Sequence, residues 1–347
     1  MSDYSIAQIY PSDRRGLEQV DRLLEQEGIR RDGNLDYICG MEDENGRIIA
    51  TGSCFGPTLR CFAVSAEHQG EGLLNEIISH LMEVQYARGN PHLFLYTKVR
   101  SAKFFGDLGF YEIARVDGTL VFMENRKSGF PNYLKALEKT KREGVSAALV
   151  MNANPFTLGH QYLVETAAAS CDTLHLFVLS EDASLVPFAV RKKLVREGVA
   201  HIPNVVLHDS GPYIISSATF PSYFLRDEAA VIDGHARLDL AVFTRIARAL
   251  NVTQRYVGEE PTSQVTGLYN QIMARELPRA GIACHVIPRK EAAGRAISAS
   301  TVRQVLQAGD WEELRALVPE STYRYFTGPE AAPVLERIRR AGDVVHY

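Results

Sequence analysis

Two short runs in this chain carry residue types from which phosphate chemistry is built. The first is Asn152-Ala-Asn-Pro-Phe-Thr-Leu-Gly-His160, which follows an apolar run over Ala147–Met151. That apolar run, bounded by turn formers, reads as a buried parallel strand. Asn152, Asn154 and Pro155 break it, and the residues from Leu158 to Ala169 have the spacing of an amphipathic helix. A helix start offers unpaired N–H groups and the positive end of a dipole to an anion. Gly159 would let a ring or phosphate approach the backbone, and Thr157 and His160 add a hydroxyl and an imidazole in the same turn. The second run is Ile297-Ser-Ala-Ser-Thr-Val-Arg303. There Ser298, Ser300 and Thr301 supply hydroxyl and backbone donors at another helix start, and Arg303 a permanent charge one turn later. Together they suit a reaction in which charge grows on one phosphate while others depart. Taken singly, each run has a plainer reading as an N-cap followed by a surface residue. Their occurrence in this order, at two strand–helix junctions, is the more specific signal.

The elements needed to position these runs are legible around them. From residue 145 onward, strands are predicted over Ala147–Met151, Thr173–Leu179, Val205–His208, Gln254–Val257 and Ala283–Ile287. Helices are predicted over Leu158–Ala169, Val190–Ala200, Thr219–Leu225, Leu238–Leu250 and Thr266–Glu276. Alternation of this kind implies an α/β domain with a doubly wound, mostly parallel sheet, whose ligand sits outside the carboxyl ends of the strands. The remaining candidates gather at those ends. They are Ser180-Glu-Asp182 after the second strand, Arg191 and Lys192 in the helix that follows as a second phosphate clamp, and Gly258 after the fourth strand. Phe156, Tyr213 and Phe220 are candidates to close a small pocket, although such aromatics more often belong to a core. The turn-rich stretch from Asp209 to Pro221, with Tyr213, Ser216 and Ser217, is a candidate lid.

Residues 1–125 read differently. Strands at Tyr4–Ile9, Tyr37–Met41, Arg47–Phe55 and Leu59–Val64 precede a loop, Gln69-Gly-Glu-Gly72, that feeds a helix reaching about Arg88. A strand at His92–Tyr96, a helix at Ser101–Leu108 and closing strands from Tyr111 follow. This order resembles the GNAT acetyltransferase fold, in which a Q/R-x-x-G-x-G/A loop presents N–H groups to the pyrophosphate of coenzyme A. Gln69, Gly70 and Gly72 fit that loop, whereas Leu74 stands where a small residue is usual and would crowd the helix start. Glu67, His68 and Glu71 read as solvated turn residues. Residues 126–144, charged and punctuated, read as a linker helix between a GNAT-like domain (1–125) and an ATP-binding domain (145–347).

Composition sets the outer bounds. A chain of 347 residues exceeds one typical core, so two domains are expected. A net charge of −4 gives no reason to expect nucleic acid as the main partner. The first residues lack the basic and apolar segments of a secretory signal, and no apolar run approaches the ~20 residues that span a bilayer. Five scattered cysteines, with no C-x-x-C pair, indicate neither a zinc site nor a disulfide framework. The expectation is a cytoplasmic enzyme with no membrane association.

The Thr157-Leu-Gly-His160 run resembles the (H/T)-x-G-H signature of the nucleotidyltransferase superfamily, and Ile297–Arg303 resembles its I-S-S-T-x-x-R motif. With both halves in view, the chain resembles the citrate lyase ligase family, which joins a GNAT-like domain to a nucleotidyltransferase domain. The stretches that carry this are His92-Leu-Phe-Leu-Tyr-Thr-Lys98, Met151–His160, Leu174–Val178, Tyr213–Pro221 and Ile297–Ser300. The resemblance implies use of ATP and acetate to form acetyl-AMP and pyrophosphate, with Mg²⁺ on the phosphates. It implies acetyl transfer to the thiol of a dephospho-CoA-derived arm on the acyl carrier subunit of citrate lyase. His160 would meet the α-phosphate, and Arg303 with Ser298 and Ser300 would hold the leaving group. The GNAT-like groove would guide the thiol arm. Three alternatives stay open at this point: an adenylyltransferase making a dinucleotide or dephospho-CoA, an inactive CoA- and ATP-binding module, and a conventional N-acetyltransferase.

Overall fold

A computed structural model of the chain describes residues 4–215, 220–221, 228–259, 264–292 and 294–341. The chain divides into two compact units, Met1–Asn132 with Pro221–Ala241, and Tyr133–Phe220 with Val242–Tyr347. The return of residues 221–241 to the first unit has no signature in the sequence pattern.

The first unit runs β1 (Ile6–Gln8), α1 (Arg14–Gln26), β2 (Tyr37–Glu42), β3 (Ile48–Phe55), β4 (Thr58–Val64), α2 (Leu73–Ala87), β5 (Phe94–Lys98), α3 (Ala102–Asp107), β6 (Tyr111–Val116) and β7 (Leu120–Glu124). Its seven strands form one sheet in the order β1-β2-β3-β4-β5-β7-β6, the GNAT-like arrangement expected. In α1, Val20, Leu23 and Leu24 are buried as their helical spacing requires. Cys39 and Cys54 are fully buried among the apolar side chains of this unit and fill its core as small hydrophobes, while Cys61, also fully buried, has its Sγ 4.0 Å from the Arg30 carbonyl. The feature that matters for function is a failure of pairing. β4 runs parallel to β5 only at Thr58↔Phe94 and Leu59↔Leu95. Beyond that point β4 is bulged, with Cys61 in the left-handed region (φ 52°), and the two strands part.

The segment read as a linker contains α4 (Gly129–Glu138). It is better anchored than its polar composition implies. Phe130 and Leu137 are buried, and the Phe130 amide donates to the buried Glu124 carboxylate at 2.7 Å.

The second unit follows as β8 (Ser146–Met151), α5 (Leu158–Ala168), β9 (Thr173–Val178), α6 (Phe188–Gly198), β10 (Val205–Asp209), α7 (Glu228–Leu250), β11 (Val252–Gly258), α8 (Gln264–Glu276), β12 (Ala283–Ile287), a hairpin of β13 (Glu291–Ala292) and β14 (Arg295–Ala296), then α9 (Ala299–Ala308), α10 (Trp311–Leu317), α11 (Glu320–Thr327) and α12 (Ala332–Arg340). The first part of α7, to Ala241, belongs to the first unit. The five-stranded sheet has the order β10-β9-β8-β11-β12 and every neighbouring pair is parallel. Such a sheet, covered on both faces, needs near-continuous apolar strands, and all six residues of β9 are buried. α7 starts ten residues ahead of the predicted Leu238. The helix predicted over 219–225 lies almost wholly outside the described residues, as do Ser216 and Ser217. The four helices after β14 were not predicted as a layer. Val302, Leu306, Leu314, Phe326, Val334 and Ile338 bring them into the same core as the sheet. No helix among the described residues is long and apolar enough to cross a membrane.

Candidate active site

In this strand order β8 has neighbours reached by opposite windings, β9 on one side and β11 on the other. A crevice opens at such a switch point, outside the carboxyl ends, and α5 starts there. Between β8 and α5 the chain turns through Ala153 in the left-handed region (φ 54°) and a cis Asn154–Pro155 bond.

At the head of α5, Thr157 and His160 form a reciprocal cap. The His160 amide donates to Thr157 Oγ1 at 3.3 Å, and the Thr157 amide donates to His160 Nδ1 at 3.1 Å. The Thr157 hydroxyl lies 2.9 Å from the same Nδ1. A backbone N–H can only donate, so Nδ1 is the acceptor and the ring proton resides on Nε2. Burial, with the positive charge of Arg289 nearby, pushes the His160 pKa down to about 4. Near neutral pH the ring is therefore uncharged, with its N–H directed away from the cap.

The second motif meets the first directly. Ser298 caps α9 by accepting from the Thr301 amide at 3.0 Å, and its hydroxyl lies 2.8 Å from that of Thr301. A Cβ on Gly159 would sit 2.9 Å from the Ile297 carbonyl oxygen. Gly159 thus lets α5 close on the backbone that leads into α9. Arg303 lies on the buried face of α9 with Val302, Val305 and Leu306. It donates to the Asn154 carbonyl at 2.7 Å and to Ser300 Oγ at 3.1 Å. Two helix N-termini, 141 residues apart in sequence by their caps at Thr157 and Ser298, are so brought to one place.

The structure uses several other sequence candidates as scaffolding. Arg191 falls on the buried stripe of α6 with Leu194, Val195 and Gly198. Its guanidinium is fully buried and donates to the carbonyls of Val186, Asn152, Leu179 and Glu181, which ties the loops after β8 and β9 together and leaves no phosphate-clamp geometry. Lys192 pairs with Asp209 at 2.6 Å. Asn152 exchanges hydrogen bonds with Ser184, at 3.0 and 3.2 Å, and Asn154 Oδ1 accepts from the Val186 amide at 3.0 Å. Phe156 is fully buried beneath His160, with ring centroids 5.8 Å apart, and fills the space left by Gly198. Tyr213 and Phe220 are buried too. Phe156 is accordingly a core support and not the wall of an acetate pocket. Gly258 ends β11, where its carbonyl accepts from Asn270 at 3.1 Å.

Two basic residues at the site were not singled out from the sequence, Arg289 and Lys290. They follow β12 directly, so the carboxyl-end rule that located the other candidates points to them as well. Arg289 Nε donates to the Glu259 carbonyl at 2.8 Å, and the Lys290 ammonium lies 5.7 Å from the centre of the Tyr162 ring.

The first unit carries a groove of about 630 Å³ where β4 and β5 separate. Phe62, Ala63 and Val64 form one wall and Tyr96, Thr97 and Lys98 the other, with Gln69, Gly70, Gly72 and Leu74 at its head. Gly70 and Gly72 both have positive φ (94° and 83°), a conformation that side chains resist. Gly72 is the N-cap of α2, with no side-chain cap hydrogen bond. The start of α2 thus differs from those of α5 and α9, which Thr157 and Ser298 cap. Glu67 and Glu71 are exposed at this loop, and His68 Nδ1 lies 3.1 Å from Glu71.

Comparison with known proteins bears on both units. The citrate lyase ligase C-terminal domain matches residues 146–326. The chain is 39% identical over 319 residues to the citrate (pro-3S)-lyase ligase of Klebsiella pneumoniae, covering 90% of this chain and 93% of that protein. It is 36% identical over 321 residues to that of Haemophilus influenzae, covering 90% and 96%. Among solved structures, an acyl-CoA N-acyltransferase from Klebsiella pneumoniae, described as putative, aligns with 35% of this chain and 96% of its own at 17% identity and a TM-score of 0.30. TmcAL from Thermotoga maritima aligns with 53% and 55% at 17% identity and a TM-score of 0.35. Likenesses of that size say nothing of ligands; the relatives matched along nine-tenths of the sequence do decide the family, and the chain belongs to the citrate lyase ligase family.

Proposed function

We propose that this chain is an AMP-forming acetate:[citrate lyase acyl carrier protein] ligase. An acetate oxygen attacks the α-phosphorus of ATP, the bond from that phosphorus to the bridging oxygen breaks, and pyrophosphate departs. The thiolate of the carrier's dephospho-CoA-derived arm then attacks the acetyl carbon, the bond to AMP breaks, and the carrier leaves as its acetyl thioester. Activation of citrate lyase by acetylation is what membership of the family brings to this reading.

The observation that carries it is the reciprocal cap at Thr157 and His160. Because Nδ1 is occupied by the Thr157 amide, the imidazole offers one N–H, at Nε2, to the α-phosphate oxygens. A neutral donor, held in place before substrate arrives, stabilises the charge that develops during attack without surrendering its proton. The converging N-termini of α5 and α9 add their dipoles, and the Ser298–Thr301 turn at the head of α9 faces the departing pyrophosphate. Mg²⁺ would enter with the nucleotide as part of the substrate. The cation would neutralise part of the triphosphate charge.

The groove in the first unit is where the CoA-like arm binds. Its shape suits an extended chain between the parted strands, and the uncapped amides at the start of α2 suit a pyrophosphate. Lys98 and Arg100 both line this groove; burial, and then the charge of Arg100, destabilise the Lys98 ammonium and lower its pKa, a strain that a phosphorylated arm would relieve.

ATP–[³²P]pyrophosphate exchange, with and without acetate, tests the reading. Exchange that requires acetate and is lost in His160→Ala is expected. Exchange that ignores acetate but requires a phosphopantetheine compound would transfer the assignment to an adenylyltransferase.

A further inference from the structure

The cations nominated by sequence for the triphosphate are committed elsewhere. Arg191 serves four backbone carbonyls, Lys192 is paired with Asp209, and Arg303 bridges the Asn154 carbonyl and Ser300. A triphosphate nonetheless brings several negative charges into a crevice at the sheet's carboxyl end, and positive groups must meet it.

The turn after β12 is built into the phosphate-binding framework itself. The Lys290 carbonyl accepts from the Ile297 amide at 2.9 Å, and Ile297 is the residue whose own carbonyl Gly159 abuts. On the other side, Arg289 is fixed to Glu259 at 2.8 Å, and the Glu259 amide is fixed to Ile287 at 2.8 Å. The pair Arg289–Lys290 therefore stands between the end of β11 and the N-cap of α9, next to the head of α5. Lys290 extends over Tyr162, two residues past His160, and has no carboxylate partner among the described residues. After burial, the charge of Arg289 is the second cause that lowers the His160 pKa, in keeping with this placement.

Resting on the ATP-dependent reading above, we propose that Lys290, flanked by Arg289, binds the β- and γ-phosphates of ATP and holds the pyrophosphate as it leaves. Lysine suits this task as a mobile point charge on a long stem that can follow a group in motion. Arg289, anchored at Nε, supplies a fixed charge beside it.

The test measures binding of three probes, ATP, inorganic pyrophosphate and AMP, to the full chain and its variants by calorimetry, together with acetate-dependent exchange. Lys290→Gln should weaken ATP and pyrophosphate by about tenfold to a hundredfold and leave AMP unchanged. Lys290→Arg should restore most of the loss, which a merely structural defect would not allow. Arg289→Gln should weaken the same two probes and raise the His160 pKa seen in ring-proton NMR. Unchanged pyrophosphate affinity in Lys290→Gln, or an equal loss for AMP, overturns the inference. A wild-type chain that shows no acetate-dependent exchange overturns instead the functional reading on which it rests.

Discussion

Gly159→Ala separates two explanations of the glycine in the Thr-Leu-Gly-His run. The new Cβ would lie 2.9 Å from the Ile297 carbonyl, where ordinary contact begins near 3.4 Å, so about 0.5 Å has to be found. The obstructing atom is backbone, not the end of a flexible side chain, and α5 must back away from the loop entering α9. Overpacking of this kind costs about 1–3 kcal/mol, offset in part by the better helix propensity of alanine, about 1 kcal/mol. A net loss of up to about 2 kcal/mol is expected. The larger effect falls on rate. A displacement of 1 Å costs catalysis about a hundredfold, so half of it should cost about tenfold in acetate-dependent pyrophosphate exchange. The assay pairs the exchange rate and the KM for ATP with thermal unfolding of the same preparation. A variant with normal stability and exchange rate, but a raised KM for ATP, would refute this account and return Gly159 to the role of admitting a phosphate.

Arg191→Lys removes a fork that serves four buried carbonyls, and one ammonium cannot reach them all. At about 1–3 kcal/mol for each acceptor left unpaired, stability should fall by about 2–4 kcal/mol and Tm by roughly 5–15 °C; an unchanged Tm with a tenfold higher KM for ATP would mark a phosphate clamp after all. The buried His175–His208 pair, 2.9 Å apart, makes the second unit acid-sensitive. Burial, first, lowers both pKa values from 6.5 to about 4, so between those values the unfolded chain binds more protons than the folded one. The stability of neutral burial is thus complete above pH 6.5 and is lost as pH falls toward 4, by at most about 1.4 kcal/mol per pH unit for each histidine. Urea midpoints should track this, with a shallower slope in His175→Phe; an identical slope would dismiss the pair as the cause. Gly72→Trp, placed at the head of the groove, should raise the KM for the thiol-bearing carrier at least tenfold and leave acetate-dependent exchange intact. Equal loss of both half-reactions would remove the groove from the reaction.

Much of this protein is dictated by local pattern. The central strands β8 and β9 of the second unit are apolar runs between turn formers, and such runs have few ways to be satisfied other than a covered parallel sheet. The N-caps at Thr157 and Ser298 follow from side chains that bond their own backbone three residues on, a contact that needs no distant partner. The Gln69–Gly72 loop was likewise legible, because positive φ is a property of the residue and its neighbours. What the sequence could not decide is the direction in which charged side chains point. Arg191 and Arg303 read as clamps because arginine suits phosphate, yet each shares a stripe with buried apolar residues, and folding turns its fork onto backbone carbonyls up to 149 residues away. Phe156 became a support for His160 only once Gly198 of α6 was brought against it, and Gly159 a point of closure only once α9 was brought against α5. Arg289 and Lys290, unremarkable in the chain, join the site because β12 sits beside β11, and strand order is fixed by packing across the whole sheet.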